Sequence, residues 1–191
     1  LAAAATTTDS FAVTAEDGTS QTVTVTITGV NDTPTVSAIA DASTNEDAAY
    51  SFNTSTSFSD VDGDTLTYSA TLSNDSALPS WLSFDSISGI LRGFPANADV
   101  GDIAINVTAT DGDSASVSDT YTLTVANTND TPIVSSVISD ASTNEDTPYY
   151  YDTSSHFSDA DVGDTLTYSA TLSNGSALPS WLSIDSSTGI L

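Results

Sequence analysis

The chain has 191 residues, of which 26 are acidic and one, Arg92, is basic, for a net charge of −25. Such a surface repels nucleic acid and anionic lipid, so neither is expected as a partner. With 38% hydrophobic residues and no cysteine, the chain is neither a disordered polyanion nor a disulfide scaffold. No apolar run approaches the ~20 residues that span a bilayer, so no membrane insertion is expected.

Residues 22–28 (TVTVTIT) alternate with period two, and residues 103–109 and 121–125 do the same. Thr and Val favour strands, and each run is bounded by Asp, Asn, Gly or Ser. No segment carries helical periodicity. The spacing predicts a module of seven strands near 33–39, 48–53, 64–71, 80–85, 89–94, 103–110 and 119–127. That is an all-β, Greek-key β-sandwich.

The module repeats. Residues 41–47 (DASTNED) return as 140–146, residues 65–74 return as 165–174, and residues 76–83 return as 176–183. The joints repeat too, as Asn31-Asp32-Thr33-Pro34 and Asn129-Asp130-Thr131-Pro132. Pro fixes its own φ and biases the preceding residue toward extended backbone, so each joint is short and stiff. Tandem modules in series make a rod or an array.

Three segments follow. Residues 1–30 read as the last two strands of a preceding module, with residues 11–18 paralleling 105–112. Residues 31–130 read as a complete module, and 131–191 as the first five strands of a following one. Two readings stay open for the terminal parts. Either the chain is one phase of a longer array, or the start of one copy completes the end of another by strand complementation.

All the acids except Glu16, Glu46 and Glu145 are Asp, a residue that favours turns and can converge its oxygens on a cation. They cluster at Asn45-Glu46-Asp47, at residues 60–64 (DVDGD), at residues 111–113 (DGD) and at the two Asn-Asp joints. Calcium takes six to eight oxygen ligands, which these clusters can supply.

Asp60-x-Asp62, Ala109-Thr110-Asp111 and Asn31-Asp32-x-Pro34 resemble the calcium motifs of cadherin repeats. The residues 78–82 (LPSWL), 88–95 (SGILRGFP) and Val100-Gly101 resemble more closely the bacterial cadherin-like repeats of the dystroglycan type, also called putative Ig-like repeats. Residues 1–34 resemble the end of related repeats in giant bacterial surface adhesins. This resemblance implies Ca²⁺ between modules. It implies a first site of Asn31, Asp32, Asp60, Asp62 and Asp111, and a second of Glu46, Asn129, Asp130, Asp159 and Asp161. Where cadherins carry an Asp-Arg-Glu motif, this chain has residues 93–97 (GFPAN), so fewer ions per junction are expected.

Trp81 and Trp181, each flanked by Leu, are read as core. His156 is the single histidine and its counterpart is Ser57, so no enzyme is expected. The reading that results is a calcium-rigidified structural repeat of an extracellular bacterial adhesin stalk or filament, on the cell surface. Its partners would be neighbouring copies or modules, with glycans or cell-surface proteins as further candidates. The alternative is a carbohydrate- or protein-binding module.

Overall fold

The computed structural model describes residues 1–191 and divides them into two units, Leu1–Ala126 and Asn127–Leu191. The first unit opens with a hairpin of β1 (Thr6–Thr14) and β2 (Ser20–Thr28). A β-sandwich follows. Its strands are β3 (Thr35–Val36), β4 (Ala42–Asn45), β5 (Tyr50–Asn53), β6 (Phe58–Ser59), β7 (Thr67–Leu72), β8 (Leu82–Asp85), β9 (Ile90–Gly93), β10 (Gly101–Thr110) and β11 (Ser116–Ala126). One sheet has the order β4-β11-β10-β7 and the other β5-β9-β8, while β3 and β6 pair alone. The chain changes sheet between β7 and β8 and again between β9 and β10, so each sheet is assembled from strands distant in sequence.

The period-two patterns become the core. Ile105, Val107 and Ala109 of β10 and Tyr121, Leu123 and Val125 of β11 point inward, while their Thr and Ser neighbours face out. Register places Ile105 opposite Tyr121 and Ile103 opposite Leu123. From the facing sheet come Tyr50, Leu82 and Leu91, the last fully buried. The Phe52 and Tyr121 rings meet at 5.3 Å between centroids. Each large apolar side chain removed from water here contributes about 1.5–3 kcal/mol.

The expected strands are all present in this module, but two more join them. β4 lies parallel to the end of β11, with Leu123 opposite Ala42 and Ala126 opposite Asn45. Asp41 fastens this edge, its Oδ1 accepting from the Thr122 amide at 2.8 Å. β6 pairs with β3 through two residues. Neither strand has an alternating apolar pattern: β4 is held by its ladder on the sheet edge, and β6 by a two-residue ladder and the single buried side chain of Phe58.

The expected alignment of residues 11–18 with 105–112 shifts by two. The β1–β2 turn closes from Ala15 N–H to Thr19 O (2.7 Å), and the β10–β11 turn from Asp111 N–H to Ala115 O (3.0 Å). Ala15 therefore stands where Asp111 stands. Asp17 Oδ1 accepts from the Thr19 amide, whereas Asp111 Oδ1 accepts from both the Asp113 and Ala115 amides and anchors its turn from the first position.

The second unit repeats the first pairing, with β12 (Ile133–Val134) against β13 (Phe157–Ser158). It also keeps the fastening of the first copy around a buried threonine. Gly89, at φ 67°, accepts from both the amide and the hydroxyl of Thr54, and Gly189, at φ 68°, accepts from those of Thr153. The other four strands expected in 131–191 do not form ladders. Tyr151 and Leu191 exchange amide hydrogen bonds, and a single bridge joins Asp152 and Ile190. Residues 165–172 run without a ladder although they are identical to 65–72. In the first unit that segment is held by β10, and the second unit contains no such strand.

Candidate metal centre

The first site gathers three loops. Asn31 and Asp32 lie between β2 and β3, residues 60–64 lie between β6 and β7, and Asp111 opens the β10–β11 turn. Asp60 Oδ1 accepts from the Asp62 amide (2.8 Å), which folds the 60–62 backbone into a local Asx turn. Asp62 Oδ2 accepts from the Asp32 amide (2.8 Å), which ties the linker to that loop. Asn31 Nδ2 donates to Asp32 O (3.1 Å) and to Asp111 Oδ2 (3.0 Å). The five residues assigned to the first site are thus brought together within one unit.

After these bonds, three oxygens remain buried with no hydrogen-bond partner: Asn31 Oδ1, Asp60 Oδ2 and Asp62 Oδ1. The Asp62 side chain is 0% exposed. A buried polar atom normally finds a partner, because leaving it unsatisfied costs about 1–3 kcal/mol and more for a charged group. All three atoms are acceptors. The donor they lack matches a hard cation, for which carboxylate and amide oxygens are the preferred ligands.

The electrostatics agree. The Asp111 carboxyl is held below the usual carboxylate range, first by the hydrogen bond from Asn31 and then by the Ala115 and Asp113 amides. Asp64 goes the other way: partial burial raises it, and the negative charges of Asp60, Asp62, Asp111 and Asp113 raise it further. Like charges at this range oppose one another, and a bound cation inverts that balance.

The second unit reproduces the fastening. Asp130 N–H donates to Asp161 Oδ2 (2.7 Å), Asp161 N–H to Asp159 Oδ1 (2.9 Å), and Asn129 Nδ2 to Asp130 O (2.6 Å). Asp161 is 5% exposed, and its Oδ1 is buried without a hydrogen-bond partner. Carboxylate oxygens of Asp159, Asp161 and Asp164 lie within 4.8 Å of one another. Asp164 was absent from the residues assigned to the second site by the resemblance. Its signal was available as the third acid of the loop, matching Asp64. Glu46, assigned to the same site, belongs to the first unit; it is 2% exposed and its amide donates to Ala126 O at the end of β11.

Trp81 packs partly buried against the core, so close to the Gly93 backbone that a Cβ there would meet its ring at 2.7 Å. Trp181, expected to be core, is instead 69% exposed. Gly93, the last residue of β9, lies against Trp81, and residues 181–191 include no counterpart of it.

Fold and site together define an all-β, Ig/cadherin-like sandwich with acidic linker loops. The Putative Ig domain family matches residues 33–126 and 131–191, and the chain belongs to that family. Among solved structures, the human mucin-like protocadherin EC1-2 is similar at 17% identity and a TM-score of 0.44, over 58% of this chain and 61% of that one. The third cadherin domain of human protocadherin 7 is similar at 17% identity and a TM-score of 0.39, over 53% of this chain and 92% of that one. The endo-fucoidan hydrolase MfFcnA4 of glycoside hydrolase family 107 is similar at 24% identity and a TM-score of 0.43, over 66% of this chain. The chain spans 19% of that hydrolase's length. No curated protein matches the chain.

Proposed function

We propose that this chain is a calcium-stiffened structural spacer, a repeat segment of an extracellular bacterial adhesin stalk or filament. The observation that carries the reading is the fastening found in both units. A linker amide, of Asp32 or Asp130, is bound to a buried Asp, Asp62 or Asp161, whose second oxygen has no donor. Asn31, Asp60, Asp62 and Asp111 would hold one Ca²⁺, and Asp159, Asp161 and Asp164 would hold another. The ion would supply the missing positive charge and lock the linker to the module that follows it. An acidic, cysteine-free chain gains from such metal staples where disulfides are absent.

Calorimetric titration of the chain with CaCl₂, together with thermal melts in calcium and in chelator, tests the reading. Extracellular calcium modules bind at roughly 10⁻⁴–10⁻³ M. An ion at 100 times its Kd stabilises by about 2.7 kcal/mol. Equal melting temperatures in calcium and in chelator would reject it. The second reading, a carbohydrate-binding module, draws on Trp181, exposed beside Tyr149 and Glu145. The packing of its counterpart Trp81 on the core favours the structural role.

A further inference from the structure

Six asparagines of the chain open an Asn-x-Ser/Thr tripeptide: Asn31, Asn53, Asn74, Asn106, Asn129 and Asn174. That tripeptide is an acceptor sequence for N-linked sugar, and its working context is a surface loop. A chain rich in Ser and Thr acquires some copies by composition alone. The fold separates those that a transferase could reach from those that it could not.

Four are closed. Asn31 and Asn129 commit their side-chain nitrogens, Asn31 Nδ2 donating to Asp111 Oδ2 (3.0 Å) and Asn129 Nδ2 to Asp130 O (2.6 Å). Asn106 lies within β10, between Thr71 of β7 and Thr120 of β11, and the next residue, Val107, is fully buried. Asn53 precedes Thr54, which is also fully buried, and its Oδ1 accepts from both the amide and the hydroxyl of Ser55, at 3.0 and 2.8 Å. None of these tripeptides enters the cleft of another protein unless a ladder, a buried side chain or an acidic loop is first undone.

Asn74 and Asn174 are open. They occupy the same turn of the two copies, and every residue of 74–76 and 174–176 is exposed. Leu72 N–H donates to Ser76 O (2.9 Å) and Asp75 N–H to Leu72 O (2.9 Å). In the second copy Leu172 N–H donates to Ser176 O (2.9 Å) and Gly175 N–H to Leu172 O (2.8 Å). Asn74 Oδ1 accepts from the Ser76 amide at 3.1 Å, and Asn174 Oδ1 from the Ser176 amide at 3.0 Å. This Asx turn holds each carboxamide by its oxygen, which leaves the nitrogen as the end available for chemistry. The middle residue is Asp75 in one copy and Gly175 in the other, at φ 65° and 82°. The Asn and the Ser are thus the same in both copies while the residue between them differs.

We infer that Asn74 and Asn174 are acceptor sites for N-linked sugar, added to the folded chain by a transferase that uses a sugar nucleotide. The carboxamide nitrogen attacks the anomeric carbon and forms the C–N bond. The bond from that carbon to the phosphate oxygen breaks, and the nucleoside diphosphate leaves with the electron pair. One Nδ2 proton passes to a base of the transferase. Both turns lie away in sequence from the acidic loops, and the inference stands apart from the calcium reading.

The test is transfer from UDP-glucose to the folded chain by a soluble transferase that reads Asn-x-Ser/Thr, followed by peptide mass mapping. One hexose is expected on the peptide bearing Asn74 and one on the peptide bearing Asn174. Asn31, Asn53, Asn106 and Asn129 are expected to stay unmodified. Ser76→Ala keeps the amide that holds the turn and removes the hydroxyl of the tripeptide, so it is expected to lose the addition at Asn74 and keep that at Asn174. Ser176→Ala is expected to do the reverse. A chain left unmodified at both turns, occupancy at Asn53 or Asn106 equal to that at Asn74, or an addition at Asn74 that survives Ser76→Ala would each overturn the inference.

Discussion

The Asp130 amide donates to Asp161 Oδ2 at 2.7 Å, and the Asp32 amide donates to Asp62 Oδ2 at 2.8 Å. The two bonds occupy the same place in successive modules, and each spends one carboxylate oxygen while leaving the other without a donor. A linker held in this way is positioned before any ion arrives. Little ordering entropy is then left for binding to overcome.

The first prediction follows from those free oxygens. Asp62→Asn and Asp161→Asn each keep one carbonyl oxygen to accept the linker amide but remove a charge. In calcium, each is expected to lose the stabilisation the ion provides, about 2.7 kcal/mol at 100-fold saturation. In chelator, each is expected to melt at or above the temperature of the unmodified chain, because a like-charge repulsion is relieved. Paired thermal melts decide it, and a variant that loses stability equally in both buffers argues for a purely structural carboxylate.

Leu91 and Leu191 occupy the same place in the two modules, yet the first is fully buried and the second is partly exposed. Leu91→Ala is expected to cost about 2–5 kcal/mol through lost transfer energy and the cavity left behind. Leu191→Ala is expected to cost clearly less in the monomer. Denaturant melts of the two variants provide the comparison.

Gly93 is the residue on which Trp81 rests. A Cβ there would come within 2.5 Å of the Trp81 carbonyl oxygen and 2.7 Å of its ring. Backbone is involved, so no side-chain rotation relieves the clash. Gly93→Ala is expected to destabilise the module by about 1–3 kcal/mol, in the range of overpacked cores, with a shift in Trp81 emission. An unchanged melt together with unchanged emission would contradict this packing.

Asp185 is held at a pKa of about 2, below its ordinary 3.8. The Ser187 hydroxyl donates to it at 2.6 Å, and the Ser187 and Thr188 amides at 2.8 and 3.0 Å. A carboxyl depressed in the folded state adds stability above its unfolded pKa, and that contribution fades as pH falls through the folded value. The stability from this turn is therefore complete above about pH 5 and lost on acidification toward 2. Carboxyl NMR titration is expected to give a midpoint near 2, and a midpoint near 3.8 would remove the basis for the turn's acid sensitivity.

The core strands were legible in the sequence because both sides of β10 and β11 are written in it, with apolar residues inward and Thr or Ser outward. β4 was not legible. Its residues, Ala42 to Asn45, carry no alternation, and the strand exists through its pairing with β11, about 80 residues later. The identical segments 65–72 and 165–172 make the same point from the other direction. One forms a ladder and the other does not, so strand formation here belongs to the pair rather than to the segment. At the acidic loops, the linker residues and the Asp-x-Asp pairs were readable as motifs. Asp164 was passed over because its contribution depends on the fold of its loop, which brings three carboxylates within 4.8 Å.

The parallel seam between β4 and β11 has a mechanical consequence. β4 enters near the front of the module and β11 leaves at its back, and they run side by side in the same direction over four residue pairs. Tension applied along the polypeptide draws these strands past one another lengthwise. The hydrogen bonds of the seam are then strained together instead of parting one after another, and a tug of given strength is resisted by the whole row.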